Sequence, residues 1–334
     1  MKYCRVLTWA LFFALSSSCS RSPSGPVVWV YTSVYNEVVQ AMDQSLKKSH
    51  PHITVKWFQG GSENVAARYS AELAAGKPQA DVIVTSDIFW YEDLKGRGLL
   101  KAYKAKGSES VPAALKDKDG FYATLRMPLM VIAYHPDVFA SAQAPRGFAD
   151  LASPRFKDKM SLPNPLESGT AFTAVSVLSQ RLGWDYFEKL KHNGALSAGG
   201  NSAVLARIES KERPVGMVLL ENVLMAAAHG SKVRYAWPDE GAIMVPSPVA
   251  ITSTARHPEA AQAIADYLFS EEAARIIVDV GRMHVPHAPH LTPEPSLPWT
   301  KVWATALPWR DGLMKKIMAE RDLIKKRFSL ALLD

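Results

Sequence analysis

The first three strand signals in this chain each end in small polar residues and lead directly into a helix signal. Val27-Val-Trp-Val-Tyr31 stops at Thr32-Ser33 before a helix-period segment over residues 37–48. Ile53-Thr-Val-Lys-Trp-Phe58 stops at Gln59-Gly60-Gly61-Ser62 before a second over 63–75, and Asp81-Val-Ile-Val-Thr85 runs into Ser86-Asp87. Strands that alternate with helices make a mainly parallel sheet covered on both faces. In such sheets ligands sit beyond the carboxyl ends of the strands, so the three polar turns should share one crevice.

The second half repeats the device. Pro163-Asn-Pro-Leu-Glu-Ser-Gly-Thr-Ala-Phe-Thr173 brings two prolines and a polar turn to Ser168-Gly169-Thr170, and an amphipathic run over 171–182 follows. A helix begun this way leaves its first backbone N–H groups unpaired, and Gly169 lets a ligand approach them. The segment therefore reads either as an anion-binding helix start or as an ordinary Ser N-cap. Gly199-Gly200-Asn201-Ser202 opens another helical run over 203–210, and Arg213-Pro-Val-Gly-Met-Val-Leu-Leu220 is a buried-strand pattern ending at Glu221-Asn222. Strand returns at 242–246 and 249–252, and helices are expected over 258–269 and 271–280. The chain is then proline-rich to Pro308 and helical to Leu333.

Arg126 is a lone charge inside an apolar stretch between Tyr122 and Tyr134. Its planar fork suits phosphate or carboxylate, and a salt-bridged arginine at a strand end is the alternative.

At 334 residues the chain is long enough for roughly two domains. Lys2 and Arg5 precede an apolar stretch over 6–15 and then Ser16-Ser-Ser-Cys19, which reads as a secretory signal over residues 1–18. Cys4 and Cys19 are the only cysteines, so the secreted body has no intrachain disulfide, and lipid attachment is the role left to Cys19. The lipobox match is incomplete, with Ser16 where leucine is usual, so soluble secretion remains the alternative. The formal charge of +7 is spread without an arginine-rich, aromatic-interleaved stripe, which argues against nucleic acid.

No G-x-S-x-G, H-E-x-x-H or Walker pattern is present, so an enzyme is not expected. His284, His287 and His290 are spaced by three, but the intervening prolines hold the path extended, and they read as polar loop residues rather than a metal site.

Val30-Tyr-Thr-Ser33, Gly60-Gly-Ser62, Gln79-Ala-Asp-Val82, Ser168-Gly-Thr170, Pro246-Ser-Pro-Val-Ala250, His257-Pro-Glu-Ala-Ala261 and Phe269-Ser-Glu-Glu272 occur in that order. From about Val27 to Val285 the chain thereby resembles bacterial periplasmic solute-binding proteins of ABC importers. The branch is the one with ferric-ion, phosphonate and sugar-phosphate binders.

The resemblance implies an α/β, two-lobed periplasmic-binding-protein fold of type II, with two crossing hinge strands at 125–133 and 244–251. Lobe one would be 26–124 plus 250–334, and lobe two 130–243. Thr32, Ser33, Gly61, Ser62, Ser86 and Asp87 would form one wall of the cleft. Ser168, Gly169, Thr170, Asn201, Ser202, Glu221 and Asn222 would form the other, with Arg126 as a further anion ligand.

Ferric binders of this branch carry a tyrosine pair where this chain reads Glu221-Asn222, and no Tyr-Tyr occurs anywhere in it. Members without the pair resemble binders of phosphate-bearing organic solutes. The implied protein is a monomer, without cofactor or catalytic residues, tethered through Cys19 and carrying a small anion to an ABC permease. Iron binding and solute sensing for a membrane receptor are the alternatives.

Overall fold

The computed structural model describes residues 25–307 and 312–333. The segment expected to be a secretory signal, and Cys19, lie outside the described residues.

Two mixed sheets, one in each lobe, organise the chain. The first sheet takes β1 (Val27–Thr32), β2 (Thr54–Gln59), β3 (Val82–Val84), β4 (Leu100–Lys101) and β5 (Ala123–Arg126). The second takes β6 (Leu129–Tyr134), β7 (Met160–Leu162), β8 (Leu196–Ser197), β9 (Val215–Leu219), β10 (Arg234–Ala236) and β11 (Ile243–Met244). Then β12 (Ser247–Thr252) returns to the first sheet, giving the order β2-β1-β3-β12-β4 with β5 also against β12. The chain thus changes sheet between Arg126 and Leu129 and again between Met244 and Ser247. The architecture is the type II periplasmic-binding-protein fold.

Register explains why the polar turns meet. The parallel pairings Thr32↔Gln59 and Thr32↔Val84 bring three strand ends level, so Ser33, Gly60–Ser62 and Ser86 emerge side by side. In the second sheet β7 runs parallel to both β8 and β9, which aligns the turns after Leu162, Ser197 and Leu219.

The helices α1 (Asn36–Ser49), α2 (Ser62–Ala74) and α3 (Ile88–Gly96) follow the first-sheet strands. The next four are α4 (Gly169–Leu182), α5 (Asp185–His192), α6 (Asn201–Glu209) and α7 (Leu220–Ala228), with the second sheet. In α4 every residue from Gly169 to Ser176 is buried, so the first two turns of this helix are covered all round rather than along one stripe. It has neighbours in both lobes: α2 on one side, α5 on the other.

The remaining helices are α8 (Pro258–Leu268), α9 (Glu271–Asp279), α10 (Trp299–Thr305), α11 (Leu313–Ala319) and α12 (Arg321–Phe328). The assignment of all of 250–334 to lobe one meets a different path here. Leu307 donates its N–H to Ala242 O at 2.8 Å, α12 packs on α4, and the π-helical turn Ser329–Leu333 packs on α5. The described tail therefore touches both lobes: α11 packs on α3 of the first, and α12 and the last turn pack on the second, where the Phe328 ring lies 5.7 Å from that of Phe187. Within the proline-rich stretch, α10 forms around buried Trp299 and Val302.

The three histidines are not alike. His290 is exposed and bonds Glu271 at 3.0 Å, but His284 is buried against Trp299, and His287 is half-buried against Phe269. Burial pushes both of their pKa values down to about 4. The unfolded chain takes up these protons near 6.5, so the stability they contribute is present above that pH and lost as pH falls toward 4. Each is expected to lower stability by about 2 kcal/mol between pH 7.5 and pH 5. Urea midpoints of the wild type and His287→Phe at the two pH values check this, and the variant should lose markedly less.

Candidate functional site

A cavity of about 430 Å³ lies where the two sets of strand ends face each other. From the first lobe it is lined by Ser33, Tyr35, Gln59, Gly60, Gly61, Ser62, Ser86 and Arg126. From the second come Glu167, Ser168, Thr170, Gly200, Asn201, Ser202, Ala203 and Leu219.

Three helices begin on this cavity. Gly61 is the N-cap of α2, Ser168 of α4 and Gly200 of α6. Each start carries roughly half a positive charge and leading N–H groups without an intrahelical partner. The glycine caps leave those groups uncovered by any side chain. Ser168 does cap: its Oγ accepts from Ala171 N at 3.4 Å, and it stands 2.9 Å from Thr170 Oγ1. Thr170 Oγ1 also accepts from Asn201 Nδ2 at 2.8 Å, which ties the starts of α4 and α6 together. Asn201 Oδ1 has no partner.

Arg126 is the one guanidinium on the wall, and it is 2% exposed. Its Nη2 donates to Ser86 Oγ at 2.9 Å and Ser33 Oγ at 3.3 Å, its Nη1 to Met283 Sδ at 3.0 Å, and Nε has no partner. No carboxylate lies within 4.0 Å of it among the described residues. Burial pushes its pKa down, while Glu221, Tyr35 and Tyr91 pull the other way. Of the two readings open for this residue, a cation with donors left for an anion fits, and a salt-bridged strand end does not.

Glu221 lies beneath the cavity rather than on it. It is 2% exposed, its Oε1 has no partner, and burial raises its pKa to about 7 against the help of Arg126 and the backbone N–H groups. Beside it, Asn222 Oδ1 accepts from the Tyr35 hydroxyl at 2.9 Å. Burial, and then the charge of Glu221, hold the Tyr35 phenol well above its ordinary pKa.

Of the residues expected on the cleft walls, Ser33, Gly61, Ser62, Ser86, Arg126, Ser168, Thr170, Asn201 and Ser202 do line the cavity. Thr32, Asp87, Gly169, Glu221 and Asn222 do not. Thr32 is spent on the backbone: its Oγ1 donates to Val84 O and accepts from Val34 N, both at 3.0 Å. Asp87 caps α3 and forms a two-pronged ion pair with Arg321, at 2.7 and 3.4 Å. Gly169 is pressed against the other lobe, where a Cβ would stand 3.0 Å from Asp87 Cβ and 3.1 Å from Ser62 Cβ. Tyr35, Gln59, Gly60, Glu167, Gly200, Ala203 and Leu219 line the cavity without having been expected there. Tyr35 and Gln59 flank the polar turns after β1 and β2, and that position was the available signal.

The model for the bacterial extracellular solute-binding protein family matches residues 77–304. The chain belongs to that family. A probable ABC transporter periplasmic-binding protein, y4fP of Sinorhizobium fredii, is 24% identical to this solute-binding protein over 223 residues, covering 64% of this chain and 62% of the relative. Among solved structures, the periplasmic binding protein AfuA of Actinobacillus pleuropneumoniae, with fructose-6-phosphate bound, aligns with a TM-score of 0.80 at 20% identity. That alignment covers 92% of this chain and 98% of AfuA. Iron-bound HitA of Pseudomonas aeruginosa aligns with a TM-score of 0.79 at 18% identity, covering 90% and 99%. At these identities the likeness speaks for the fold alone.

Proposed function

We propose that this protein captures a phosphorylated or phosphonate-type small organic anion in the periplasm and delivers it to an ABC importer, working as a monomer tethered through a lipid on Cys19. The observation that carries the reading is the convergence of three helix starts and one carboxylate-free, buried guanidinium on a single cavity. Four positive poles around 430 Å³ suit a phosphoryl group, whose oxygens accept from N–H groups and from the Arg126 fork. The hydroxyls and amides of Ser33, Ser62, Gln59, Asn201 and Ser202 then face the organic part. The role is binding, closure of the lobes and hand-over to a permease, as the relatedness to a probable ABC transporter binding protein supports.

A ferric ion asks for deprotonated phenols. Here the cavity has Tyr35 as its one phenol, held protonated and bonded to Asn222, and Glu167 as its one carboxylate, already accepting from Asn164, while Glu221 is buried off the cavity. The test is a thermal-shift screen of the secreted chain against sugar phosphates, phosphoglycerates, alkylphosphonates and ferric citrate. A bound solute raises Tm by mass action, by about 2.7 kcal/mol of stability at 100 times its Kd. Stabilisation by a phosphorylated compound is expected. A response to ferric citrate alone would overturn the reading.

A further inference from the structure

Away from the solute cavity, a second cluster of charges sits at the seam between the lobes. Arg321, the first residue of α12, reaches Asp87 with both Nη atoms, at 2.7 and 3.4 Å, and stands 3.5 Å from Glu63 Oε1. Lys325, one turn on, stands 3.5 Å from Glu63 Oε2. Asp87 caps α3 and Glu63 lies in the first turn of α2, so both acids belong to the first lobe. The cations belong to α12, which is packed on α4 of the second lobe.

The Arg321 guanidinium also lies 4.8 Å above the ring of Phe172 in α4, and that ring meets Phe89 of α3 edge-on at 5.6 Å. The pair is largely withdrawn from water, with side-chain exposure of 26% for Arg321 and 4% for Asp87. A bidentate guanidinium–carboxylate pair in such surroundings is stronger and more directional than a surface pair. Neither partner lines the cavity, yet Gly169, at the start of α4, packs directly on Asp87 Cβ. Separation of the lobes at this seam must break the pair, and the pair cannot form unless α4 comes down onto α2 and α3.

We propose that Arg321 is a positioning residue that latches the two lobes in the closed arrangement, and so sets the affinity of the cleft without touching the solute. The proposal rests on the solute-binding family and not on which solute is bound. Its test therefore needs none. Nitroxide labels at Glu109→Cys in the first lobe and Glu212→Cys in the second, on a chain beginning at Ser20, report the interlobe distance by pulsed electron resonance. Small-angle scattering gives the overall radius of gyration.

Two variants remove the pair and keep its surroundings. Arg321→Met retains an unbranched stem over Phe172, and Asp87→Asn retains an N-cap oxygen for α3. The solute-free wild type is expected to show a short-distance, closed population. Both variants should lower its ratio to the open population about tenfold with a larger radius of gyration, and Arg321→Lys should recover part of it. Circular dichroism and urea titration of each variant exclude loss of fold as the cause. A wild-type distribution without the short component, or one unchanged in either variant, overturns the proposal.

Discussion

Gly169→Asp is expected to abolish solute capture while both lobes stay folded. A Cβ at residue 169 would stand 3.0 Å from Asp87 Cβ, 3.1 Å from Ser62 Cβ and 3.2 Å from Ser86 O. These atoms sit on strand-end turns and helix starts that have little room to yield. Aspartate would add a second negative charge against Asp87 and place one at the mouth of the proposed anion site. The open form relieves all three conflicts, so the substitution should act on closure rather than on folding. An affinity loss of at least about 100-fold, or ~2.7 kcal/mol, is expected. Calorimetric titration with whichever compound stabilises the wild type checks this. Unchanged affinity would show that the close approach of Gly169 to the first lobe is not needed for capture.

Glu221→Gln should have a large effect of the opposite sign on stability, and one that depends on pH. The carboxyl is buried with Oε1 unpartnered, and its pKa stands at about 7 in the folded protein against an ordinary value of 4.5. A raised pKa favours the folded state below 4.5, and that stability is lost as pH rises from 4.5 through 7. The difference corresponds to roughly 3 kcal/mol. The glutamine variant does not titrate, so it should be the more stable protein at pH 8 and lose that advantage by pH 5. His284 and His287 bias the wild type the other way over the acid range, and the comparison at each pH cancels them. Anion affinity should follow: ionised Glu221 offsets the charge of Arg126, so from pH 6 to pH 8 binding to the wild type should weaken relative to the variant, a ratio that cancels the titration of the solute itself. Urea unfolding and titration at pH 5, 6.5 and 8 measure both.

Local signals made much of the cleft legible in the sequence. Hydrophobic runs ending in Thr-Ser, Gly-Gly-Ser and Ser-Asp mark strand ends whose register depends on short, regular βαβ connections, and Ser168 before Gly-Thr is an N-cap signal. What the sequence hid depends on distant partners. Asp87 has the composition of a cleft residue, and its role is decided by Arg321, 234 positions away. Glu221 reads as a cleft-wall carboxylate, and only the packing around it shows that it is 2% exposed and off the cavity. The packing of His284 and His287 is hidden for a similar reason: a Pro-flanked, polar-looking segment is covered by Trp299 and Phe269 from two other elements.

The path of β12 has a consequence for how the molecule comes into being. This strand lies inside the first sheet, with β3 on one side and β4 and β5 on the other, yet it is made some 160 residues after β3. Until Ser247–Thr252 emerges, β3 and β5 have no common partner, and the amino-terminal half can form only part of its sheet. The segment from β6 to β11 is contiguous and can collapse on its own contacts. Folding should therefore be slow and sequential, with the middle of the chain first and its two ends joining last.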